Sequence, residues 1–308
     1  MTCLQHEAVF YDGVEEFVTA ALPFAREAVA AGEPLIVVEP SAQLAALREA
    51  MGADAAGAEF HEAADWYRSP GKAFKGYLDW VTAGLERAPR VRTIGEPIWP
   101  TDWDAAVAEY AHYESVYNVI AEEASVWSIC PYDVGALPAE IIDHARATHP
   151  YVRTRAGVEP SESFVDPHAY CSHLASRLHP PTARVRRFPI SPDLGALRAA
   201  VAAEAQKAGV TAPRAAELLV ALHEVAMNAL MHGAGDASAQ TWSDEVAFVC
   251  EVTDRGLGLS ETVAGYEPPG EDGEHGRGLW LARQICDLVE IRSDGGATQV
   301  RLHVKRGS

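Results

Sequence analysis

The chain has 308 residues, of which 48% are hydrophobic and 22% charged, and it carries a net charge of −19. That length allows two domains with sizeable cores. The acidic balance excludes a surface built to hold polyanions, because nucleic acid and anionic membranes both demand basic faces. Five cysteines (Cys3, Cys130, Cys171, Cys250 and Cys286) are odd in number and never spaced C-x-x-C. This argues for a reducing compartment and against a disulfide framework or a zinc cage. Cys250 and Cys286 sit in apolar stretches and read as core residues. Neither a signal peptide nor an apolar run of about 18 residues is found, so a cytoplasmic location is expected.

In chain order, Ala8-Val9-Phe10-Tyr11 reads as a short strand and Val14–Ala31 as a helix with Pro23 inside it. Pro34-Leu35-Ile36-Val37-Val38 is an unbroken apolar run, the mark of a strand buried on both faces. Helices are predicted near Ser41–Met51, Gly71–Arg87, Trp103–Ala124 and Pro138–Ala147, with strands near Val91–Ile94 and Val126–Cys130. Such alternation predicts a mostly parallel sheet covered on both faces. The loop after the first strand, Asp12-Gly13-Val14, lacks the G-x-x-x-x-G-K-[ST] pattern, so no triphosphate cradle is expected in this half.

This half is rich in aromatic residues: Trp66, Tyr67, Trp80, Trp99, Trp103, Tyr113, Tyr117, Trp127 and Tyr132. With His6, Glu96 and Cys130 near strand ends, they define a candidate crevice for a small-molecule ligand outside the sheet edge. Aromatics that pack helices onto a sheet are the commoner case. Metal binding by histidine is not expected. His144 and His149 are five positions apart, on different helix faces, and His168, His173 and His179 show no ligand spacing. Residues 156–184, rich in Pro, Ser, His and Ala, form the natural boundary. They divide a domain over 1–158 from one over 185–308, with a linker at 159–184. Within the linker, Tyr170–Leu178 is expected to form a helical turn or two.

In the second half, Arg187–Ile190 reads as a short strand, followed by Ser191 as a helix N-cap with Pro192 at the first helical position. Ala215–Met231 contains neither Pro nor Gly and is rich in Ala, Leu and Glu, which predicts one helix. Glu224, Asn228 and His232 fall at i, i+4 and i+8 and so project from one side. Leu218, Leu222, Val225 and Ala229 form the apolar stripe that buries the other. A carboxylate and a carboxamide in register, with Gly233 ending the helix, suit a hard metal ion such as Mg²⁺. Val246–Thr253 reads as a buried strand running into the turn Asp254-Arg255-Gly256-Leu257-Gly258. After an acidic stretch over 259–275 comes Gly276-Arg277-Gly278-Leu279, opening a helix with Leu281, Ile285 and Leu288 on one face. Gly295-Gly296-Ala297-Thr298 leads into Gln299–Lys305, where Val300, Leu302 and Val304 alternate with polar residues as in a half-buried strand.

Taken in this order and spacing, these boxes resemble the ATP-binding domain shared by gyrase, heat-shock protein 90, histidine kinases and the MutL repair protein. The resemblance covers about residues 185–306. It implies a two-layer α/β sandwich of the histidine-kinase-like (Bergerat) type, with ATP and Mg²⁺ as cofactors. Carried over by position, Asn228 would hold Mg²⁺ and Glu224 would be the general base and a further candidate ligand. Asp254 would accept a hydrogen bond from the adenine amino group, with Thr298 supporting it. Gly256 and Gly258 would let backbone approach the nucleotide. Gly276 and Gly278 would do the same at the phosphates, beside a helix N-terminus. Arg277, inside the second glycine pair, would either pair with a phosphate oxygen or stand as a solvated lid residue, and His232 and Leu279 complete the boxes.

No histidine followed by an acidic residue and proline precedes this domain, and His173 and His179 lie in a Pro-broken segment. The histidine-kinase branch is therefore disfavoured. The runs Asn228-Ala229-Leu230-Met231-His232-Gly233 and Glu274-His275-Gly276-Arg277-Gly278-Leu279, with a short lid between the glycine boxes, resemble the anti-sigma-factor serine kinases of partner-switching systems. That resemblance implies phosphorylation of a serine or threonine on an anti-sigma antagonist, a sigma factor as second partner, and a homodimer through the ATP domain. An alternative stays open: a nucleotide-responsive, catalytically silent module that sequesters a partner.

Further features lie in the first half: His6 before Phe10-Tyr11, Gly32-Glu33, Gly95-Glu96-Pro97-Ile98-Trp99, Cys130-Pro131-Tyr132-Asp133 and His149-Pro150. They resemble the MEDS sensory domain over about residues 4–155. This implies a degenerate RecA/KaiC-like α/β fold that tunes the second domain in response to a ligand or partner.

Overall fold

The computed structural model describes residues 4–307 except 176, 177, 179, 182, 234, 257, 260–262, 270–275, 294 and 295. The chain divides into two compact units, Met1–Arg68 with Ala73–Tyr170, and Ser69–Lys72 with Cys171–Ser308.

The first unit runs β1 (Gln5–Tyr11), α1 (Val14–Ala31), β2 (Leu35–Glu39), α2 (Ser41–Met51), a 3₁₀ turn (Gly52–Gly57), β3 (Ala58–Glu62) and α3 (Ala63–Trp66). It continues with α4 (Pro70–Leu85), β4 (Val91–Gly95), α5 (Asp104–Ile120), β5 (Val126–Asp133), α6 (Ala139–Thr148), β6 (Tyr151–Thr154) and β7 (Gly157–Pro160). The sheet has the order β3-β2-β4-β5-β1-β6-β7. Every neighbouring pair is parallel except the β6–β7 hairpin. β2 and β4 are buried along their whole length, as strands covered on both faces must be. α1 ends at Gly32, whose φ of 68° is left-handed and whose N–H closes on the Ala28 and Val29 carbonyls; that conformation favours glycine. Phe17, Phe24 and Ala28 of α1 pack with Leu47 and Met51 of α2 over Leu35 and Val37 of β2. α7 (Pro167–Ala175) spans the point where the chain passes into the second unit, within the stretch expected to be a linker.

The second unit runs β8 (Arg186–Pro189), α8 (Gly195–Lys207), α9 (Ala212–His232), β9 (Ser238–Ser243), β10 (Ala247–Asp254), α10 (Arg277–Ile285), β11 (Leu288–Ser293) and β12 (Thr298–Lys305). Its sheet, β11-β12-β10-β9-β8, is antiparallel throughout. Leu197 and Val201 of α8, Leu218 and Leu222 of α9, and Ala282 of α10 pack over Cys250, Val300 and Leu302 of the sheet. A sheet with helices on one face is a two-layer sandwich.

Three readings are corrected. The second-box helix ends at Ile285, so Leu288 belongs to strand β11 and the buried face is Leu279, Ala282 and Cys286 rather than Leu281, Ile285 and Leu288. Ser191 is not an N-cap, because α8 starts only at Gly195. The Asp193 carboxylate accepts the Gly195 N–H at 2.9 Å, and the Ser191 hydroxyl donates to the Asp193 carbonyl. β12 is not half-buried, since Arg301 and His303 are buried as fully as the apolar residues between them. Arg301 donates to Glu251 at 2.7 Å and His303 meets Glu290 at 2.8 Å. The polar alternation therefore marks a paired inner row, not a wet face. β3, β6, β7 and β9 are further strands that the sequence pattern did not suggest; all are short and rich in polar residues or glycine.

Candidate functional site

In the second unit, the C-terminal end of α9 is closed against the end of β10. Gly233 and Gly256 form an isolated antiparallel bridge. A Cβ on Gly256 would stand 2.8 Å from the His232 carbonyl, and one on Gly233 would stand 3.2 Å from the Asp254 Cβ while running into the Ala229 carbonyl. Only glycine at both positions lets the two backbones meet there. This contact carries Asp254 to the end of the helix that bears Asn228 and Glu224. Asp254 is half-buried, and burial raises its carboxyl above the ordinary aspartate value, against the nearby His232. Directly across the ladder from Asp254 stands buried Thr298.

The first turn of α10 rests on the same polar face of α9. A Cβ on Gly278 would come within 3.0 Å of Asn228 Nδ2, 3.2 Å of Glu224 Cβ and 3.5 Å of Glu224 Oε2. Gly276, at φ 84°, turns the chain into the helix, and Arg277 is exposed at its first position. Glu224, Asn228 and Gly278 are thus brought together, and so are His232, Asp254, Gly256 and Thr298. Gly258, at φ 77°, continues the turn beyond Gly256, and Leu259 N–H donates to Ser293 Oγ at 2.7 Å. Leu279 is buried in the core and acts by packing.

Of the lid read over 259–275, residues 260–262 and 270–275 lie outside the described residues. The part between them is pinned by Arg283, which is 3% exposed. Its guanidinium lies 3.9 Å above the Tyr266 ring and donates to the Ala264 and Val289 carbonyls at 3.2 and 3.1 Å. A Cβ on Gly265 would be 2.8 Å from the Leu279 carbonyl carbon, so this segment lies directly on α10. Sequence reasoning did not single out Arg283. Its position one turn after the core residue Leu279 was the available signal.

These residues fit an adenine nucleotide with a hard divalent cation. Free N–H groups at the start of α10, next to two glycines, can take phosphate oxygens. Asn228 and Glu224 offer oxygen ligands of the kind Mg²⁺ prefers. Asp254, beside Thr298, offers an acceptor at the sheet edge.

In the first unit, His6, Glu114 and Cys130 line a cavity of about 20 Å³, room for a single water or ion. Tyr67, Tyr77, Tyr113 and Tyr117 complete most of its wall. Of the residues expected at a crevice, Glu96 is elsewhere. It accepts the Tyr11 hydroxyl at 2.6 Å and lies beside Glu39. Burial pushes the Glu96 carboxyl up to about 7, and burial with the Glu96 charge raises Glu39 as well. The spacing from which no histidine metal site was expected does not describe the fold at His149: the His6 and His149 rings lie 3.9 Å apart, beside Glu114 and Cys130. The spacing argument treated His149 as part of a helix, whereas it follows α6 and leads into β6.

An antiparallel sheet backed by helices, with a carboxylate and carboxamide facing a glycine-led helix start, defines an ATP-binding sandwich of the histidine-kinase-like class. Residues 191–304 match the family model described as the histidine kinase-like ATPase domain. Residues 5–150 match that of MEDS, the methanogen/methylotroph, DcmR sensory domain. The chain therefore carries an N-terminal MEDS sensory domain and a C-terminal histidine kinase-like ATPase domain, an architecture of regulatory, ATP-binding, kinase-like character. No curated protein matches the chain. No helix among the described residues is long and apolar enough to cross a membrane.

Proposed function

We propose that this protein is an anti-sigma regulator of a partner-switching pathway, one that phosphorylates a serine or threonine on an anti-sigma antagonist. The observation that carries the reading is the placement of Glu224 and Asn228 together against Gly278 at the start of α10. Bound there with Mg²⁺, ATP would supply the phosphoryl group. Asn228 holds the cation, Asp254 accepts the adenine amino group with Thr298 beside it, and the Gly276–Gly278 backbone binds phosphate oxygens. Glu224 is placed one helical turn before Asn228 to take the proton of a substrate hydroxyl. Phosphoryl transfer depends mostly on positioning and charge stabilisation, which is what these groups offer.

A serine kinase leaves its phosphate on the partner, so no phosphoacceptor histidine is needed on this chain. That agrees with α7, which carries His173 but is far too short for a dimerisation hairpin. Unphosphorylated antagonist would keep this protein occupied, and phosphorylated antagonist would release it to hold the sigma factor. The MEDS domain would adjust that balance, from a cytoplasmic location. The test is transfer from radiolabelled ATP to antagonist proteins of the same cell. Acid-stable phosphate on a serine, lost in Glu224→Gln, supports the reading. Partner control that persists in Glu224→Gln, with no transfer by the wild type, makes the protein a nucleotide-responsive binding module instead.

A further inference from the structure

Four side chains of metal-ligating type converge in the first unit: His6 of β1, Glu114 of α5, Cys130 of β5, and His149 between α6 and β6. One ligand atom from each lies within 4.8 Å of all the others. Cys130 Sγ is 3.3 Å from His6 Nε2, and Glu114 Oε2 is 3.6 Å from His6 Nε2 and 3.8 Å from His149 Nε2. Tetrahedral coordination at ordinary zinc bond lengths puts ligand atoms roughly 3.3–3.6 Å apart. These three separations are already within a few tenths of an ångström of that spacing, and the remaining ones lie within 4.8 Å.

The surrounding hydrogen bonds fix how the two imidazoles are used. Asn118 Nδ2 donates to the Glu114 and Thr148 carbonyls at 3.1 and 2.7 Å. Its Oδ1 is thereby left to accept from His6 Nδ1 at 3.0 Å. His149 Nδ1 lies 2.8 Å from the Ala145 carbonyl, which can only accept. Both rings therefore carry their proton on Nδ1 and turn a bare Nε2 lone pair into the cluster. This outer arrangement, with the far nitrogen donating to an oxygen, is the one that orients histidine metal ligands. His149 is fully buried, and its Nε2 has no hydrogen-bond partner. Buried polar atoms are almost always paired, so this one calls for an explanation.

We propose that His6, Glu114, Cys130 and His149 bind one divalent first-row transition-metal ion, of the zinc class, in a closed four-ligand site. Two neutral imidazoles, one thiolate and one carboxylate balance the two positive charges, so the loaded site is buried without net charge. Binding forms four metal–ligand bonds and releases the thiol proton and any carboxyl proton to solvent. Sulfur and imidazole select zinc, iron, cobalt or nickel over Mg²⁺ or Ca²⁺. A closed protein-ligand set makes the ion a folding or signalling element, not a catalyst.

The site is independent of the kinase reading, and its test uses the full chain stripped of metal by a chelator and titrated with Co²⁺ alone. One equivalent should produce an intense tetrahedral d–d spectrum with a thiolate-to-cobalt charge-transfer band, and Zn²⁺ should erase both. Cys130→Ser should lose the charge-transfer band. His149→Gln should weaken binding by more than the roughly 10–100-fold typical of losing an outer partner. A wild type that gives no charge-transfer band overturns the proposal without reference to any variant. Undiminished affinity in a His149→Gln protein with native circular dichroism overturns it equally.

Discussion

The ATP-type site of the second unit and the buried cluster of the first are built in opposite ways. In the second unit, the polar pair Glu224 and Asn228 comes from one turn of α9, and each partner arrives as a short box with its own glycine. The closest approaches, Gly278 to Asn228 and Gly256 to His232, are made by residues whose type already announces backbone proximity. In the first unit, His6, Glu114, Cys130 and His149 come from four separate places along the chain. His6, Cys130 and His149 each fall in a stretch that carries the MEDS resemblance, but no spacing along the chain shows that they meet Glu114, because the neighbours of β1 are strands β5 and β6, which follow far later in the sequence. Local geometry writes itself into motifs, whereas a site gathered by parallel sheet topology leaves only scattered residue types.

If the second unit's site is as local as it looks, single substitutions there should act on chemistry while the rest of the protein stays intact. Glu224→Gln keeps shape and removes the base. It should lower phosphotransfer by about 10²–10⁴-fold with ATP affinity nearly unchanged, as measured by single-turnover transfer and calorimetry. An equal loss of affinity would assign Glu224 to cation binding instead. Arg283→Met tests the long-range support beneath the lid. It leaves the Ala264 and Val289 carbonyls without the donor that now serves them. It should destabilise the second unit by about 2–4 kcal/mol and expose the 263–269 backbone to hydrogen exchange. Gly278→Ala puts a methyl group against Asn228 and Glu224, and about tenfold weaker ATP binding is expected.

The smallest effect is expected from pH acting on the first unit. Glu39 and Glu96 are buried together, faced by Tyr11 and Gln43 and near Asp133. Both are held above their ordinary values, Glu96 at about 7. The folded state keeps protons that the unfolded chain has already released, so stability falls as pH rises. The contribution is intact below the unfolded carboxylate value and is lost on the way up to about 7. This pair should therefore lower the thermal-unfolding midpoint at pH 8 relative to pH 5, against the opposite pull of the buried imidazoles His6 and His149, whose values are lowered, and Glu39→Gln should remove the pair's share. A pH dependence of the midpoint that Glu39→Gln leaves unchanged would contradict the burial of this pair.

Much of the architecture was legible in the sequence. The run at residues 34–38 marked a central parallel strand, and the bounds of α1 and α2 followed from glycine, proline and apolar spacing. The glycine boxes marked the turns around α9 and α10 because a missing side chain is itself a statement about geometry. Leu288, the first residue of β11, was read into the preceding helix because it continues the helical apolar period beyond Cys286, where α10 is capped. β9 is polar in sequence because it lies in an antiparallel sheet, where Gln240 pairs with Glu251 of β10 across the ladder. His149 was discounted by helical spacing that does not apply beyond α6. Arg283 was invisible because burial of a guanidinium depends on an aromatic ring and carbonyls that only the fold supplies.

The central claim is that the Asn228 helix and the Asp254 turn form a working nucleotide site. The most direct measurement is calorimetric ATP binding with and without Mg²⁺, on the wild type and on Asn228→Ala. Mg²⁺-dependent binding is expected in the wild type and should disappear in the variant. Wild-type protein that fails to bind ATP under either condition would contradict it, and with it the kinase reading.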